Sequence, residues 1–297
     1  MIESLGKEEG LEDFAMSNKT TIVDADTVVY AACSVCEYAD DLLGWEMYTE
    51  EEMLEIQDTP GYDEAEHCIW KIDIEQAVQH SENKLLEIKA ATNTNKMELY
   101  FTEGRNFRYD VFPMYKANRK RIRYPQGMGV VKRALLEKYK GKICTTYEAD
   151  DICVTLVMAS PEKYILACVD KDLIGSVPHR VFNYYSSIHY NIDMKWVETS
   201  ARDAYQFPYK QCLMGDSTDN IQGVPGIGPK KAEKALEGLV TPCDMWKAVV
   251  KLFKSKKLTV KDAIMTMRLV HMQQLIPDGK GDYIVNLWQP PCDAESK

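Results

Sequence analysis

Nine acidic residues fall into short groups along this chain: Asp24, Glu103, the Glu148/Asp150/Asp151 set in Glu-Ala-Asp-Asp, the Asp170/Asp172 pair in Asp-Lys-Asp, and Asp216 with Asp219 in Gly-Asp-Ser-Thr-Asp-Asn. Gathered in one cleft, these carboxylates would repel one another and hold their protons unless cations sat between them. Ligation by oxygen alone suits Mg²⁺ or Mn²⁺. Two such ions about 4 Å apart would activate a water and stabilise the leaving oxygen of a phosphodiester. None of the five histidines lies in these groups, so the chemistry needs no imidazole base.

Two further segments suit a phosphate backbone. Gly223-Val-Pro-Gly-Ile-Gly-Pro-Lys-Lys231 places Gly226 and Gly228 at a tight turn that opens a helix carrying Lys230, Lys231 and Lys234. Glycines let backbone N–H groups approach a phosphate, and the helix start adds favourable partial charge. Pro229 suits the first helical position. Such a hairpin grips DNA without reading bases. The second segment, Tyr115-Lys-Ala-Asn-Arg-Lys-Arg-Ile-Arg123, packs five cations (Lys116, Arg119, Lys120, Arg121 and Arg123) into eight residues. On a helix, Lys116, Arg119 and Lys120 would share a face, and Tyr115 and Tyr124 would be placed to stack on unpaired bases.

The elements that must position these groups can be read from hydropathy. Thr20–Asp24, Met97–Phe101 and Tyr164–Val169 are short β-rich runs that read as buried strands, with Asp24, Glu103 and Asp170 at or just beyond their ends. Arg180–Tyr184 reads as a fourth strand. Helices are predicted over 25–38, over 72–91 with apolar residues at helical spacing, and from about Glu148. On the last of these, Glu148 and Asp151 would share a face, with Asp150 close by. Strands alternating with helices predict an α/β fold with a central, mostly parallel sheet and flanking helices. In such a sheet, ligands bind at the carboxyl ends of the strands.

The organisation predicted is a polar arm over 1–18, an α/β core over 19–200 and a helical region over 201–297. Within the core, residues 37–66 hold twelve acids and no Lys or Arg, and read as a surface insertion with a short helix at 50–57. Whether they imitate DNA, dock a partner or fill space is open. Residues 105–142 hold twelve Lys or Arg against Asp110 and Glu137, a local balance of +10 in a chain of net charge −10. That asymmetry suggests a basic binding face on an acidic protein. The 297 residues, 45% of them hydrophobic, suffice for a full core. No membrane span or secretory leader is read from the chain, and nine scattered cysteines suggest reduced thiols in the cytoplasm, with Cys33 and Cys36 on one helix.

Taken together, Ile-Val-Asp24, Tyr115-Lys-x-Asn-Arg119, Glu148-Ala-Asp-Asp151, Asp170-Lys-Asp172, Gly215-Asp-x-x-Asp-Asn220 and Gly-Val-Pro-Gly-Ile-Gly228 resemble the 5′-nuclease superfamily of flap endonucleases and 5′→3′ exonucleases. The likeness is greatest to its compact bacteriophage branch, for which the compartment would be the host cytoplasm. The resemblance implies a PIN-like nuclease fold with a helical arch and a helix–hairpin–helix. It implies that Asp24, Glu103, Glu148, Asp150 and Asp151 serve one metal ion and Asp170, Asp172, Asp216 and Asp219 a second. Lys116 and Arg119 would contact the scissile phosphate, with Asp150 and Asp170 central to catalysis. Lys120, Arg121, Arg123, Gly226, Gly228, Lys230 and Lys231 would contact DNA, Tyr115 would stack near the bent substrate, and a K⁺ ion would sit at the hairpin. The implied substrates are DNA with a free 5′ end, a flap or a fork, and an RNA–DNA hybrid. Two departures stand out: Ala25 follows Asp24 where glycine is usual, and Glu103 stands where the second strand usually supplies Asp.

Overall fold

The computed structural model describes residues 17–42, 45–121, 123–187, 191 and 193–293, without the side chains of Trp45, Lys120 and Arg121. Most of the predicted N-terminal arm lies outside the described residues; Ser17 and Asn18 already belong to the first strand.

That strand, β1 (Ser17–Asp24), owes its place to β-branched residues: Thr21, Ile22 and Val23 are fully buried. Helix α1 (Asp26–Cys36) follows, and then the acidic segment, which folds as a small antiparallel sheet. In it β4 (Cys68–Ile72) lies between β2 (Glu37–Asp41) and β3 (Tyr62–Asp63). Helix α2 (Glu50–Gln57) is the short helix predicted there, started by a capping box between Thr49 and Glu52. The long amphipathic α3 (Ile74–Thr92) ends at left-handed Asn93 and leads into β5 (Thr94–Thr102).

The basic segment differs from the predicted helical arch. It comprises the single turn α4 (Arg108–Val111), a 3₁₀ stretch over Ala117–Arg121, and α5 (Met128–Lys138), before β6 (Lys140–Cys144). Lys116 has a positive φ of 54°, which breaks the helical course where a continuous helix was expected. The core then alternates α6 (Ala149–Ala159), β7 (Tyr164–Cys168), α7 (Lys171–Ser176), β8 (His179–Asn183) and β9 (Lys195–Thr199).

Six strands form the central sheet in the order β6-β5-β1-β7-β8-β9. All neighbours run parallel except β8 and β9. The central strand β1 pairs Val23 with Leu99 on one side and with Ala167 on the other. These three pack on one face with α1, α3 and α5, while Ile22, Tyr100 and Leu166 face α6 and α7 on the other. The sheet is therefore covered on both sides, as parallel sheets require.

Beyond residue 200, α8 (Ala201–Met214), a tight pairing of β10 (Gly215–Asp216) with β11 (Ile221–Gln222), α9 (Pro229–Leu236), α10 (Pro242–Ser255) and α11 (Val260–Val270) share a third core around Trp246. A hairpin of β12 (Leu275–Pro277) and β13 (Tyr283–Val285) follows. The thiols depart in part from expectation. Cys33 and Cys36 are buried and free on α1, but Cys243 and Cys292 form a disulfide because the final segment folds back onto α10. Among the described residues, no helix is long and apolar enough to cross a membrane.

Candidate active site

The carboxyl ends of β1, β5 and β7 open into a cleft of about 1060 Å³. Asp24 closes β1 and Asp170 caps the N-terminus of α7 just after β7. Glu148 caps α6, and Asp150 sits in its first turn. From the helical region, the loop after α8 brings Asp216 and Asp219 to the same cleft, which Asp172, Lys116 and Arg119 also line.

The electrostatics reflect this crowding. Burial, then the charges of Asp26 and Asp170, push the Asp24 carboxyl up to about 8. Burial and the nearby Asp24, Glu148 and Asp170 push Asp150 well up. Burial, with Asp170 and Asp216 adding to it against the pull of Lys171, raises Asp172 to about 6. Glu148 behaves differently: burial would raise it, but Lys116 and Arg108 together hold it below the usual carboxylate range. The Lys116 ammonium lies 2.6 Å from Glu148 and 3.7 Å from Asp219, and Arg119 pairs with Asp219. Lys171 bridges Asp172 at 2.8 Å and Asp216 at 3.3 Å. Lys116 thus stands between acids of the two groups, and Lys171 between two acids of the second. Among the described residues, no three His, Cys, Asp or Glu side chains are placed to hold a metal ion together. Yet the donor set is all oxygen, and Asp24 Oδ1 is buried with no hydrogen-bond partner. A buried, unserved carboxylate oxygen beside three other acids suits a hard divalent cation.

A pH dependence follows. Asp24 keeps its proton in the folded protein up to about 8, whereas the unfolded chain loses it near 3.8. The folded state binds more protons in that window, so this contribution to stability falls as pH rises through it. Asp150 and Asp172 act in the same sense. In calorimetric melts with EDTA, the melting temperature is expected to be lower at pH 8 than at pH 5, and a divalent cation should recover more at pH 8. A metal-free protein that gains stability between pH 5 and 8 would contradict this account.

Three sequence expectations change. Asp151 does not face the cleft: its side chain is fully buried, accepts from the Glu148 backbone N–H, and takes two bonds of 2.7 Å from the Arg108 guanidinium. The capping box turns it away from the face it would share with Glu148. Tyr115 is 2% exposed and offers no face to a base; its hydroxyl lies 3.1 Å from Glu148 and 2.9 Å from Asp219. It orients these two acids instead of stacking. Glu103 lines the rim of the cleft, is exposed, and pairs with Arg133 at 3.5 Å.

Several contributors went unread. Arg108, Lys132 and Asp26 also line the cleft. Asn106 donates to Glu148 at 2.9 Å. Lys171 could have been noticed, since it stands inside Asp-Lys-Asp; Arg108 and Lys132 carry no local signal. Arg123 lies over Trp70 at 3.9 Å and pairs with Glu37, which ties the basic segment to the acidic insertion. Exposed Tyr124 packs edge-on against Tyr30 at the cleft.

The foot of the basic segment is sewn to the Asp216–Asp219 loop. Lys116 N–H donates to Asp219 O at 2.9 Å, the Asn118 amide to Ser217 O at 2.7 Å, and the Asn220 amide to Met114 O at 2.7 Å. The glycine turn follows directly: Gly226 has a φ of +80°, Gly228 caps α9, and Lys230 and Lys231 are exposed. Lys231 reaches back to Gly226 O at 2.8 Å.

This geometry has relatives. No protein-family model matches the chain. It is 30% identical over 141 residues to the flap endonuclease Xni of Shewanella baltica (strain OS223), a match covering 44% of this chain and 53% of that protein. It is 32% identical over 154 residues to DNA polymerase I of Rhizobium leguminosarum, covering 49% of this chain and 15% of that one. The match therefore spans about half, or less, of the length of these relatives. Its fold superposes on a variant of the bacteriophage T5 5′-exonuclease with a TM-score of 0.56 at 15% identity, covering 86% of this chain and 89% of that one. The chain is thus similar in sequence to a flap endonuclease and shares its fold with the T5 5′-exonuclease. A mostly parallel sheet with acids at its carboxyl edge is the frame of this cleft. A T5 protein of the same fold, at a TM-score of 0.55 and 15% identity, was co-crystallised with metal ions.

Proposed function

We propose that this chain is a structure-specific 5′ nuclease that hydrolyses phosphodiesters near the 5′ end of DNA, leaving a 5′-phosphate and a 3′-hydroxyl. The observation that carries the proposal is the cleft in which Asp24, Glu148, Asp150 and Asp170 crowd around an unserved carboxylate oxygen beside Lys116 and Arg119. Asp24, Glu148 and Asp150 would hold one divalent ion, and Asp170, Asp172, Asp216 and Asp219 a second, Mg²⁺ or Mn²⁺. When bound, such ions lower the pKa of a water and neutralise charge on the phosphate. The protein's own groups do the rest. Tyr115, Asn106 and Arg108 fix the orientation of Glu148. Lys116 and Arg119 are cations placed to meet the charge that develops on the scissile phosphate. The relatives' printed names, flap endonuclease and 5′-exonuclease, support this reading, as does a T5 flap endonuclease solved with DNA and metal ions.

A titration of Mg²⁺ and Mn²⁺ against a 5′-labelled flap, a blunt duplex and an RNA–DNA hybrid tests the proposal. Cleavage of the flap or duplex that requires the cation supports it, and cleavage of the hybrid extends it to RNA primers. Binding without cleavage at any cation concentration would instead make the chain a replication accessory protein.

The turn from Gly223 to Lys231 is proposed to grip duplex DNA through backbone N–H groups and the exposed Lys230 and Lys231. Arg123 would contact DNA only after releasing Glu37, and the implied K⁺ would compete with Lys231 for the Gly226 carbonyl. Replacing Lys230 and Lys231 by Ala is expected to weaken duplex binding and to flatten the salt dependence of log K by about one unit per lost phosphate contact. Fluorescence anisotropy over a salt series reads this, and an unchanged slope removes the hairpin from the binding surface.

A further inference from the structure

The residue that ends β5 is bonded to three different helices. Thr102 N–H donates to Asp26 Oδ2 of α1 at 2.9 Å, and its carbonyl accepts from the Lys132 ammonium of α5 at 2.7 Å. Its hydroxyl accepts the Ala149 N–H of α6 at 2.9 Å. Asp26 and Lys132 also pair with each other at 2.6 Å. One ion pair therefore clasps the main chain of Thr102, and the side chain is left to serve α6. Thr102, Asp26 and Lys132 all line the cleft. The bond to α6 falls at a sensitive place. Ala149 opens that helix and is fully buried. Its N–H is one of the few that a helix start leaves without a partner of its own. Glu148 and Asp150 stand on either side of it in the chain and line the cleft, while Asp26 stands two residues after Asp24. Thr102 thus joins the backbone that carries Asp24 to the backbone that carries Glu148 and Asp150.

We infer, resting on the proposed nuclease reading, that Thr102 is a positioning residue whose hydroxyl sets where Glu148 and Asp150 stand relative to Asp24. A threonine in a strand is ordinarily there for its β-branched shape. Valine has the same shape and would serve a strand as well. Valine would leave the buried Ala149 N–H without an acceptor, which is costly away from water. The first turn of α6 would then shift toward another acceptor, and the two acids flanking Ala149 would move with it.

The test compares Thr102→Val with Thr102→Ser, which keeps the hydroxyl, in the full chain. Thr102→Ala stands in for the first variant should it not fold. In cleavage of a labelled flap, Thr102→Val is expected to lower kcat at least about tenfold, as a small misplacement of catalytic groups does. KM should stay within about twofold of the parent, because the loss lies in the placing of catalytic groups and not in binding. Thr102→Ser should recover kcat to within about threefold of the parent, since the acceptor returns. A second readout needs no turnover: amide hydrogen exchange over residues 148–152 should quicken in Thr102→Val and return to the parent rate in Thr102→Ser. An unchanged kcat in Thr102→Val, an equal loss in Thr102→Ser, or a loss carried by KM would overturn the inference and leave the nuclease reading intact. A fall in kcat without faster exchange at the start of α6 would overturn it as well. A parent protein that cuts no flap or duplex would end both.

Discussion

Replacing Asp170 and Asp172 together by Asn is expected to lower cleavage by at least about 10³-fold, the scale of losing several kcal/mol of charge stabilisation around a phosphate. Duplex affinity should change little, because the proposed gripping residues lie on the glycine turn and the basic segment. Asp170 caps α7 by accepting the Asp172 N–H, and an Asn at the same place keeps that bond. The fold therefore survives while two charges are lost. With them goes the acid that pairs with Lys171, leaving Asp216 as that lysine's remaining anchor. Single-turnover cleavage of a labelled flap beside binding by anisotropy separates the two effects. A double variant that still cuts at a tenth of the parent rate or better would end the assignment of these acids.

The largest effect on stability is expected at Arg108, which is 2% exposed. Its guanidinium makes both bonds to Asp151, lies 3.5 Å from Glu148 and donates to Leu269 O at 2.8 Å. The pair of charges is buried, and the two acids hold the arginine charged against the cost of burial. Arg108→Met leaves Asp151 buried without a counter-ion, which costs about 3–5 kcal/mol. Adding Asp151→Leu removes the orphaned charge and should recover most of that loss. Urea unfolding of the three proteins reads the difference. A single variant within about 1 kcal/mol of the parent, far below that range, would show that this network is not a keystone.

How much of this was legible beforehand depended on burial. β1, β5 and β7 announce themselves through β-branched and apolar runs because each is buried on both faces. β6 and β9 do not: Lys-Gly-Lys-Ile-Cys and Lys-Trp-Val-Glu-Thr lie at the sheet edges, where half-exposed positions take polar residues. The strands of the acidic insertion were hidden for the same reason, since β2 is exposed at Asp40 and Asp41. Among site residues, those at strand ends and helix starts could be read, and the structure brings Asp24, Glu148, Asp150, Asp170, Asp172, Asp216 and Asp219 to one cleft. Asp151 was misplaced because helical spacing says which residues share a face but not which of them turns back to cap its own helix. Asp26 was passed over because an acid in a first turn has an ordinary use. Its partner Thr102 is 76 residues away, and no local pattern connects them.

The stitching between residues 114–118 and 217–220 has a mechanical meaning. The glycine turn begins only a few positions beyond the tied loop, and Lys116 lies on the other side of the ties. Handle and blade are therefore riveted to one short stretch of backbone. On the proposed nuclease reading, the place of incision would be measured from the double-stranded grip, and the length of the loose strand beyond it would not enter the measurement.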